Sequence, residues 1–301
     1  MRVSTIGSYL MTASSLGGAL ERVQRSQMQI ASGKSIQHWS DDAPAATAAE
    51  RYRSEEADWT SFQRIGTDAK GWLAAADGTM QSMSSLMARA KEIAVASQNG
   101  GLSDSSRSAL ADELDQLRTE LRDMGNTEHL GRSLFGGFGA KALTTSGTGA
   151  ITYSGDNGQV SRQVSPTITL GVNVTGAPSG DDIFGFGKGV GQDVFTVLGT
   201  LSTAIRAKDA TTVAAAQNGL LARHNDILSG LAKVGTSTNR VETAYSAGDV
   251  ALQDLATSRS VLEDVDLAKA VLEMNSAQAG YTAALGAAGR ANLPSLADFL
   301  H

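Results

Sequence analysis

Apolar residues near the end of the chain, at residues 261–290, recur in two interleaved series of alternating four- and three-residue steps. One series is Leu267, Val271, Met274, Gln278, Tyr281, Leu285 and Ala288, and the other is Val261, Val265, Ala268, Leu272, Asn275 and Ala279. This period is typical of a helix that supercoils against a partner. Because two stripes on one helix need more than one partner, the pattern predicts an assembly element.

The same stretch carries little charge. Between Lys269 and Arg290 the only formal charge is Glu273, so little of this helix is suited to water. Its length would allow a membrane span. However, it consists largely of Ala and Gly and also contains Asn275 and Gln278, and such residues contribute little to bilayer insertion. We therefore expect neither a membrane span nor a membrane partner.

A matching stripe lies at the start of the chain, where Tyr9, Leu16, Val23 and Ile30 follow one another at seven-residue intervals. Gly33 comes shortly after it, as is common at a helix C-terminus. We predict that this N-terminal helix pairs with the C-terminal one. The predicted assembly interface comprises Tyr9, Leu16, Val23, Ile30, Leu267, Val271, Leu272, Met274, Tyr281 and Leu285.

The middle of the chain is largely helical in pattern. A long helix is predicted at residues 45–98, with Asp42 as N-cap and Pro44 in the first turn. Residues 99–101, Asn-Gly-Gly, end it, and a second helix at about 105–124 completes an αα-hairpin. Helical periodicity returns at about residues 190–257 and leads without an obvious break into the C-terminal helix.

Residues 135–187 differ from the rest, being rich in Gly, Thr, Ser and Val. Residues 151–153 and 160–164 are predicted strands that flank a hairpin turn at 154–158, and residues 167–174 alternate like a further strand. The alternating glycines of residues 184–191 indicate a flexible joint. We expect this insert to tolerate deletion, because its turn chemistry is local and loop length changes closure entropy only slowly.

The predicted fold class is therefore mainly α: a long antiparallel, coiled-coil-like helix bundle with paired terminal helices and a small central β insert. A terminal assembly domain is expected at residues 1–38 and 260–301. A helical bundle domain is expected at 39–134 and 188–259, and a β-rich outer insert at 135–187.

The amino-acid composition excludes several classes of function. The chain has 301 residues, a net charge of −6 and only 5% aromatic residues, which suits helices packed through small side chains better than a thick core. The acidic balance argues against nucleic acid as a partner. Cysteine is absent, which removes disulfides and thiol chemistry. The first residues lack an apolar signal-peptide region, so we expect no cleaved signal peptide.

No pattern of catalytic or ligand-binding residues stands out. Residues 33–35, Gly-Lys-Ser, resemble the end of a phosphate-binding loop but lack its first glycine and a preceding strand. The four histidines are scattered without metal-ligand spacing. We interpret Glu263, Asp264 and Asp266 as a solvated helix face rather than a cation site. We expect no catalytic residue, no cofactor and no metal, and hence no enzyme.

Motifs spread along nearly the whole chain resemble those of the bacterial flagellin superfamily, and most closely its hook–filament junction branch. They are the starting Met-Arg-Val-Ser-Thr, Ser-Gly-Lys at 32–34, Ser-Asp-Asp-Ala-Pro at 40–44, Ala-Lys-Glu-Ile-Ala at 90–94, Asn-Gly at 99–100, Ser-Arg at 106–107, Asn-Thr at 126–127, Gly-Arg-Ser-Leu-Phe-Gly-Gly at 131–137, Tyr-Ser-Gly-Asp at 153–156, Val-Asn-Val-Thr-Gly at 172–176, Asp-Ile-Phe at 182–184 and Ser-Leu-Ala-Asp-Phe-Leu at 295–300.

This resemblance implies an extracellular structural protein, exported through the flagellar type III apparatus with a chaperone, that forms a ring between hook and filament. Its implied partners are copies of itself, a neighbouring hook-associated protein on the hook side and flagellin on the filament side. The paired terminal helices would form an inner tube and the insert the outer surface. A filament-forming flagellin remains the alternative.

Overall fold

The computed structural model describes residues 2–291, and the side chains of residues 10–289 within them. In this part of the chain the helices are α1 (Arg2–Ser32), α2 (Ala43–Ser97), α3 (Asp104–Gly125), α4 (Val194–Ala207), α5 (Ala210–Glu263) and α6 (Leu267–Ala291). The strands are β1 (Glu128–His129), β2 (Arg132–Ser133), β3 (Leu143–Thr145), β4 (Ile151–Tyr153), β5 (Ser161–Gln163) and β6 (Thr169–Gly171). The predicted fold class, mainly α with paired terminal helices and a small β insert, is confirmed.

The chain forms two compact units. The terminal unit contains the residues up to Asp58 and those from Ala251 onward, and the central unit is Trp59–Val250. The terminal unit thus includes residues 39–58 and 251–259, which the sequence had assigned to the helical bundle, and the insert lies within the central unit. The three predicted domain boundaries stay a prediction.

In the terminal unit, α1 and α6 pack along each other as an antiparallel pair. Their least exposed residues follow the four-and-three rhythm of a coiled coil. On α1 they are Thr12, Leu16, Ala19, Val23, Ser26 and Ile30, and on α6 they are Ala270, Met274, Ala277, Tyr281, Ala284 and Ala288. These two rows form the seam of the pair.

Local signals set the ends of these helices. Gly33, at a φ of 70°, donates its amide to the carbonyl of Gln29 and so ends α1 in the left-handed conformation that glycine tolerates. Asp42 accepts the amide of Ala45 at 3.0 Å, which confirms the predicted N-cap before α2. Ser103 caps α3 in the same way, accepting the amide of Ser106 at 3.1 Å.

Two helix breaks were not predicted. Lys208, at a φ of 59°, ends α4, and Asp209 caps α5 by accepting the amides of Thr211 and Thr212. At the second break, Asp266 accepts the amide of Lys269 at 3.1 Å and starts α6. At each break a capping residue interrupts the apolar periodicity. The stretch that the sequence had suggested was one continuous helix is therefore divided into α4, α5 and α6.

The insert folds differently from the prediction. Strand β4 pairs with β3, and β5 pairs with β6, so the predicted hairpin across residues 154–158 is wrong. That segment is instead held against residues 135–139, because the Asp156 carboxylate accepts the amides of Phe138 and Gly158 at 2.8 and 2.7 Å. The Tyr153 hydroxyl also lies 3.0 Å from the Phe135 carbonyl oxygen. These contacts satisfy the loop without a ladder between β4 and β5.

The predicted flexible joint at residues 184–191 is also corrected in part. Phe184 is fully buried and lies among Phe135, Phe186 and Phe195, with ring centroids 5.7–6.4 Å apart. The glycines around it turn the chain, and Gly185 does so at a φ of 80°. Aromatic burial of this size is a strong source of core stability, so residues 184–186 anchor the insert. Residues 187–191 are exposed, and for them the flexible joint stays a prediction.

The core of the central unit is shared between the helices and the insert. Trp72, Met80 and Met87 of α2 belong to the same buried cluster as insert side chains. The insert residues in that cluster include Leu143, Ile151, Val160, Val164, Leu170, Val172 and Val174. The insert is therefore part of the packed core and not only a surface addition.

Candidate assembly surface

The α1/α6 pair leaves large apolar side chains exposed on its outer sides. Leu272 is 70% exposed and Met11 is 78% exposed. The other exposed apolar side chains of the pair are Leu10, Leu20, Met28, Leu267, Val271 and Leu285. We call these eight residues the outward face. Large apolar side chains that stay exposed are candidates for contact with other protein molecules.

The structure divides the predicted interface residues into two groups. Leu16, Val23, Ile30, Met274 and Tyr281 lie in the seam. Leu267, Val271, Leu272 and Leu285 belong to the outward face. The side chain of Tyr9 lies outside the described side chains.

At the base of the pair, the turn after α1 is joined to the turn between α5 and α6. The amide of Ser35 donates to the carbonyl of Glu263 at 2.6 Å, and that of Val265 donates to the carbonyl of Gly33 at 3.0 Å. The Ser35 hydroxyl lies 3.1 Å from the same Glu263 carbonyl oxygen. Backbone bonds on both sides of Lys34 therefore hold the two turns together.

The side chain of Glu263 lies beneath this junction and is only 5% exposed. Arg53 of α2 approaches it with Nη2 at 2.7 Å from Oε1, Lys34 with Nζ at 3.2 Å from Oε2, and Arg259 with Nη1 at 3.6 Å from Oε2. Lys34 also pairs with Asp264 at 2.6 Å. We call Lys34, Arg53, Arg259, Glu263 and Asp264 the elbow cluster.

The cluster shifts the titration of its members. Burial acts to raise the pKa of Glu263, but its hydrogen bonds and charge interactions with Lys34 and Arg53 outweigh burial, so this pKa lies below its ordinary value. The hydrogen bond from Lys34 also lowers the pKa of Asp264, and the same contact raises the pKa of Lys34. The carboxylate contribution is complete above the ordinary carboxyl range and is lost as the pH falls through the lowered pKa values.

The sequence interpretation missed this cluster. Glu263 and Asp264 were assigned to a solvated face, which holds for the half-exposed Asp264 but is wrong for Glu263. A usable signal was present, because Arg259 precedes Glu263 by one helical turn and Asp266 is a capping residue type. What the sequence does not contain is the approach of Lys34 and Arg53 from distant parts of the chain.

Other potential sites are limited. In the residues that the structure describes, His, Cys, Asp and Glu side chains form no group of three or more that could hold a metal ion. Within the same residues, no helix combines the length and apolarity that a membrane crossing requires.

Both ends of the chain match regions of a known protein family. The bacterial flagellin N-terminal helical region matches residues 3–139, and the bacterial flagellin C-terminal helical region matches residues 221–300. The first match spans α1 to α3, and the second spans most of α5 and all of α6. Both helices of the terminal pair thus fall within family regions.

Relatives are similar along most of their length. A flagellin from Listeria monocytogenes is 29% identical over 91% of this chain and 90% of its own. Flagellar hook-associated protein 3 from Salmonella typhimurium is 25% identical over 93% of this chain and 95% of its own.

A solved structure shares the fold. The flagellar junction protein FlgL from Legionella pneumophila is similar at a TM-score of 0.60 and 16% identity, over 72% of this chain and all of its own. At that identity the likeness concerns the fold alone. With the family regions matched at both ends and full-length relatives of the same kind, the chain belongs to the bacterial flagellin superfamily.

Proposed function

We propose that this chain is a structural subunit of the bacterial flagellum that forms the junction ring joining hook to filament. The observation that carries the proposal is its similarity to hook-associated protein 3 over 93% of this chain and 95% of that protein. Such coverage includes the insert as well as the terminal helices.

The outward face gives this role a physical basis. Exposed Leu267, Val271, Leu272 and Leu285 on α6 are costly to leave in water, and neighbouring copies in a ring would cover them. Each copy would contact one neighbour through one surface and the other neighbour through a different surface, as the head-to-tail contacts of a ring require. In this role the chain needs no catalytic residue.

The remaining parts of the proposal concern location and partners. A subunit of this junction lies outside the cell and contacts copies of itself, a hook-associated protein on one side and flagellin on the other. We further propose that it is exported without a cleaved signal peptide, with the help of a chaperone that shields the outward face. No nucleic-acid or membrane partner is part of this proposal.

A filament-forming flagellin is the second candidate, favoured by the 29% identity to the Listeria flagellin. The two roles differ in where assembly stops. A filament subunit binds copies of itself without limit, whereas a junction subunit ends after one layer because its next neighbour is a different protein.

The deciding experiment is complementation of a strain that lacks its own junction protein. With this chain supplied, we expect filaments to be retained, with a tagged copy confined to a band at the outer end of the hook. Purified chain should form no long filaments under conditions that polymerise flagellin. Label along whole filaments, or long homopolymers in electron micrographs, would instead identify a flagellin.

A further inference from the structure

The elbow cluster brings together charges from three separate segments of the terminal unit. Lys34 follows α1, Arg53 lies on α2, Arg259 lies on α5, and Glu263 is the last residue of α5. Arg259 is in turn held by Glu56 of α2, with Nε and Oε1 3.0 Å apart. The Glu263 carboxylate is thus the common partner of one cation on its own helix and of two cations that other segments supply.

The burial of Glu263 distinguishes it from the other ion pairs of the unit. Its side chain is 5% exposed, whereas both side chains of the Lys269–Glu273 pair on α6 are more than half exposed. Exposed pairs contribute little to stability. Loss of the Glu263 carboxylate is expected to matter more, because it removes three charge contacts at once from a position that is shielded from water.

The position of the cluster determines what it can control. The backbone bonds of Ser35 and Val265 join the end of α1 to the start of α6, and Glu263 lies directly below them. Beyond this base, the described residues of the pair meet along the seam, where small side chains such as Ala270 alternate with larger ones such as Met274. The base adds backbone hydrogen bonds and charge contacts to this packing, so a change at the base should loosen both turns at once.

We propose that Glu263 is the positioning residue of a latch that holds the base of the α1/α6 pair closed and thereby fixes the outward face. When the latch is closed, α6 leaves α5 in one direction and α1 lies along it. Without the Glu263 carboxylate, Lys34, Arg53 and Arg259 each keep a separate acidic partner. However, no group then links the three cations beneath the junction, so the two turns separate more often. The consequence for ring assembly rests on the proposed function, but the latch itself does not.

The test is hydrogen exchange on the full-length purified chain, comparing Glu263→Gln with Glu273→Gln. Both variants remove one carboxylate from a glutamate at almost unchanged volume, but only the first is buried. In Glu263→Gln we expect amides of residues 23–34 and 263–274 to exchange about tenfold faster or more, as local opening without the latch predicts. Glu273→Gln should exchange like the wild type.

A second variant keeps the test decisive if Glu263→Gln loses the whole fold. Arg53→Gln removes one cation and leaves the buried carboxylate with Lys34 and Arg259, so it should accelerate exchange at the base by a smaller factor. Central-unit amides should be unchanged in it. Equal protection of the base in the wild type and both elbow variants would overturn the latch, as would an unprotected base in the wild type.

This measurement separates the latch from the junction role. It uses the isolated chain, so a filament flagellin would give the same result if the latch exists. Conversely, a chain that restores the hook–filament junction while Glu263→Gln leaves exchange at the base unchanged would keep the function and reject the latch.

Discussion

Gly230 and Gly235 both lie within α5 but meet different surroundings. A Cβ added to Gly230 would lie 2.6 Å from Met80 Cε and 2.8 Å from Ile183 Cγ2, whereas one added to Gly235 would meet nothing within 4 Å. Met80 and Ile183 are fully buried, so neither can move without disturbing the core. Gly230 is therefore a packing requirement, and Gly235 is only a weak helix residue.

We predict that Gly235→Ala raises the free energy of unfolding by up to about 1 kcal/mol through helix propensity. Gly230→Ala should be about 1–3 kcal/mol less stable than Gly235→Ala, because overpacking outweighs the same propensity gain. Urea unfolding followed by circular dichroism measures both. Equal stability of the two variants would show that the core around Met80 adapts to the added methyl group.

For single residues, the sequence predicts a role when the hydrogen-bond partners lie only a few residues away. Asp42 caps α2 as expected, since the amide that it accepts is three residues away. Glu263 could not be assigned in the same way. Its partners Lys34 and Arg53 are distant in the chain, and an acidic residue near a helix end is usually solvated.

At the scale of elements, α6 faces its partner with smaller residues than the sequence suggested. The seam keeps Met274 and Tyr281 of the predicted stripe. At the alternating positions it uses Ala270, Ala277 and Ala284, each one residue before a member of that stripe. Alanines let two helices approach closely, and the larger side chains then point outward. The heptad rhythm predicted that α1 and α6 pair, but two overlapping stripes could not show which one faces α1.

The outward face predicts a separation between folding and assembly. Leu272→Asp places a charge on a side chain that is already exposed, so the free energy of unfolding of the monomer should change by less than about 0.5 kcal/mol. Burying that charge against a neighbouring copy costs several kcal/mol, so attachment to flagella should fail.

The matched control is Val190→Asp, which changes a fully exposed apolar residue of the central unit. It should fold and attach like the wild type. Thermal unfolding and immunoblots of sheared flagella measure the two properties. Normal attachment of the Leu272 variant would show that this part of α6 faces water in the assembly.

At the scale of the whole molecule, the insert contributes side chains to the core of the central unit. Deletion had seemed tolerable because the turns are local, yet Ile151, Val160, Val164 and Leu170 are buried with the helices of the central unit. Alternating strands and turns predicted that a β insert exists. They could not show that its inner side chains belong to the same buried cluster as side chains of α2 and α5.

We now predict that replacing residues 145–180 with a short Gly/Ser linker unfolds the central unit. Each large buried apolar side chain contributes about 1.5–3 kcal/mol, so losing several approaches the 5–15 kcal/mol total of a typical domain. Circular dichroism and Trp72 fluorescence would report the loss. A Gly/Ser replacement of equal length at the exposed turn, residues 146–149, should leave both signals unchanged.

The pairing of the first and last helices also sets an order of events during folding. Lys34 and Asp264 meet across 230 positions of sequence, whereas α2 and α3 are joined by a short turn and can pair early. The long-range closure should therefore come last, after the central unit has shortened the path between the ends. A chain truncated before α6 would fold its central unit but leave α1 without its partner helix. Only a chain that includes α6 could then assemble, so the pairing itself would exclude incomplete chains without the help of another protein.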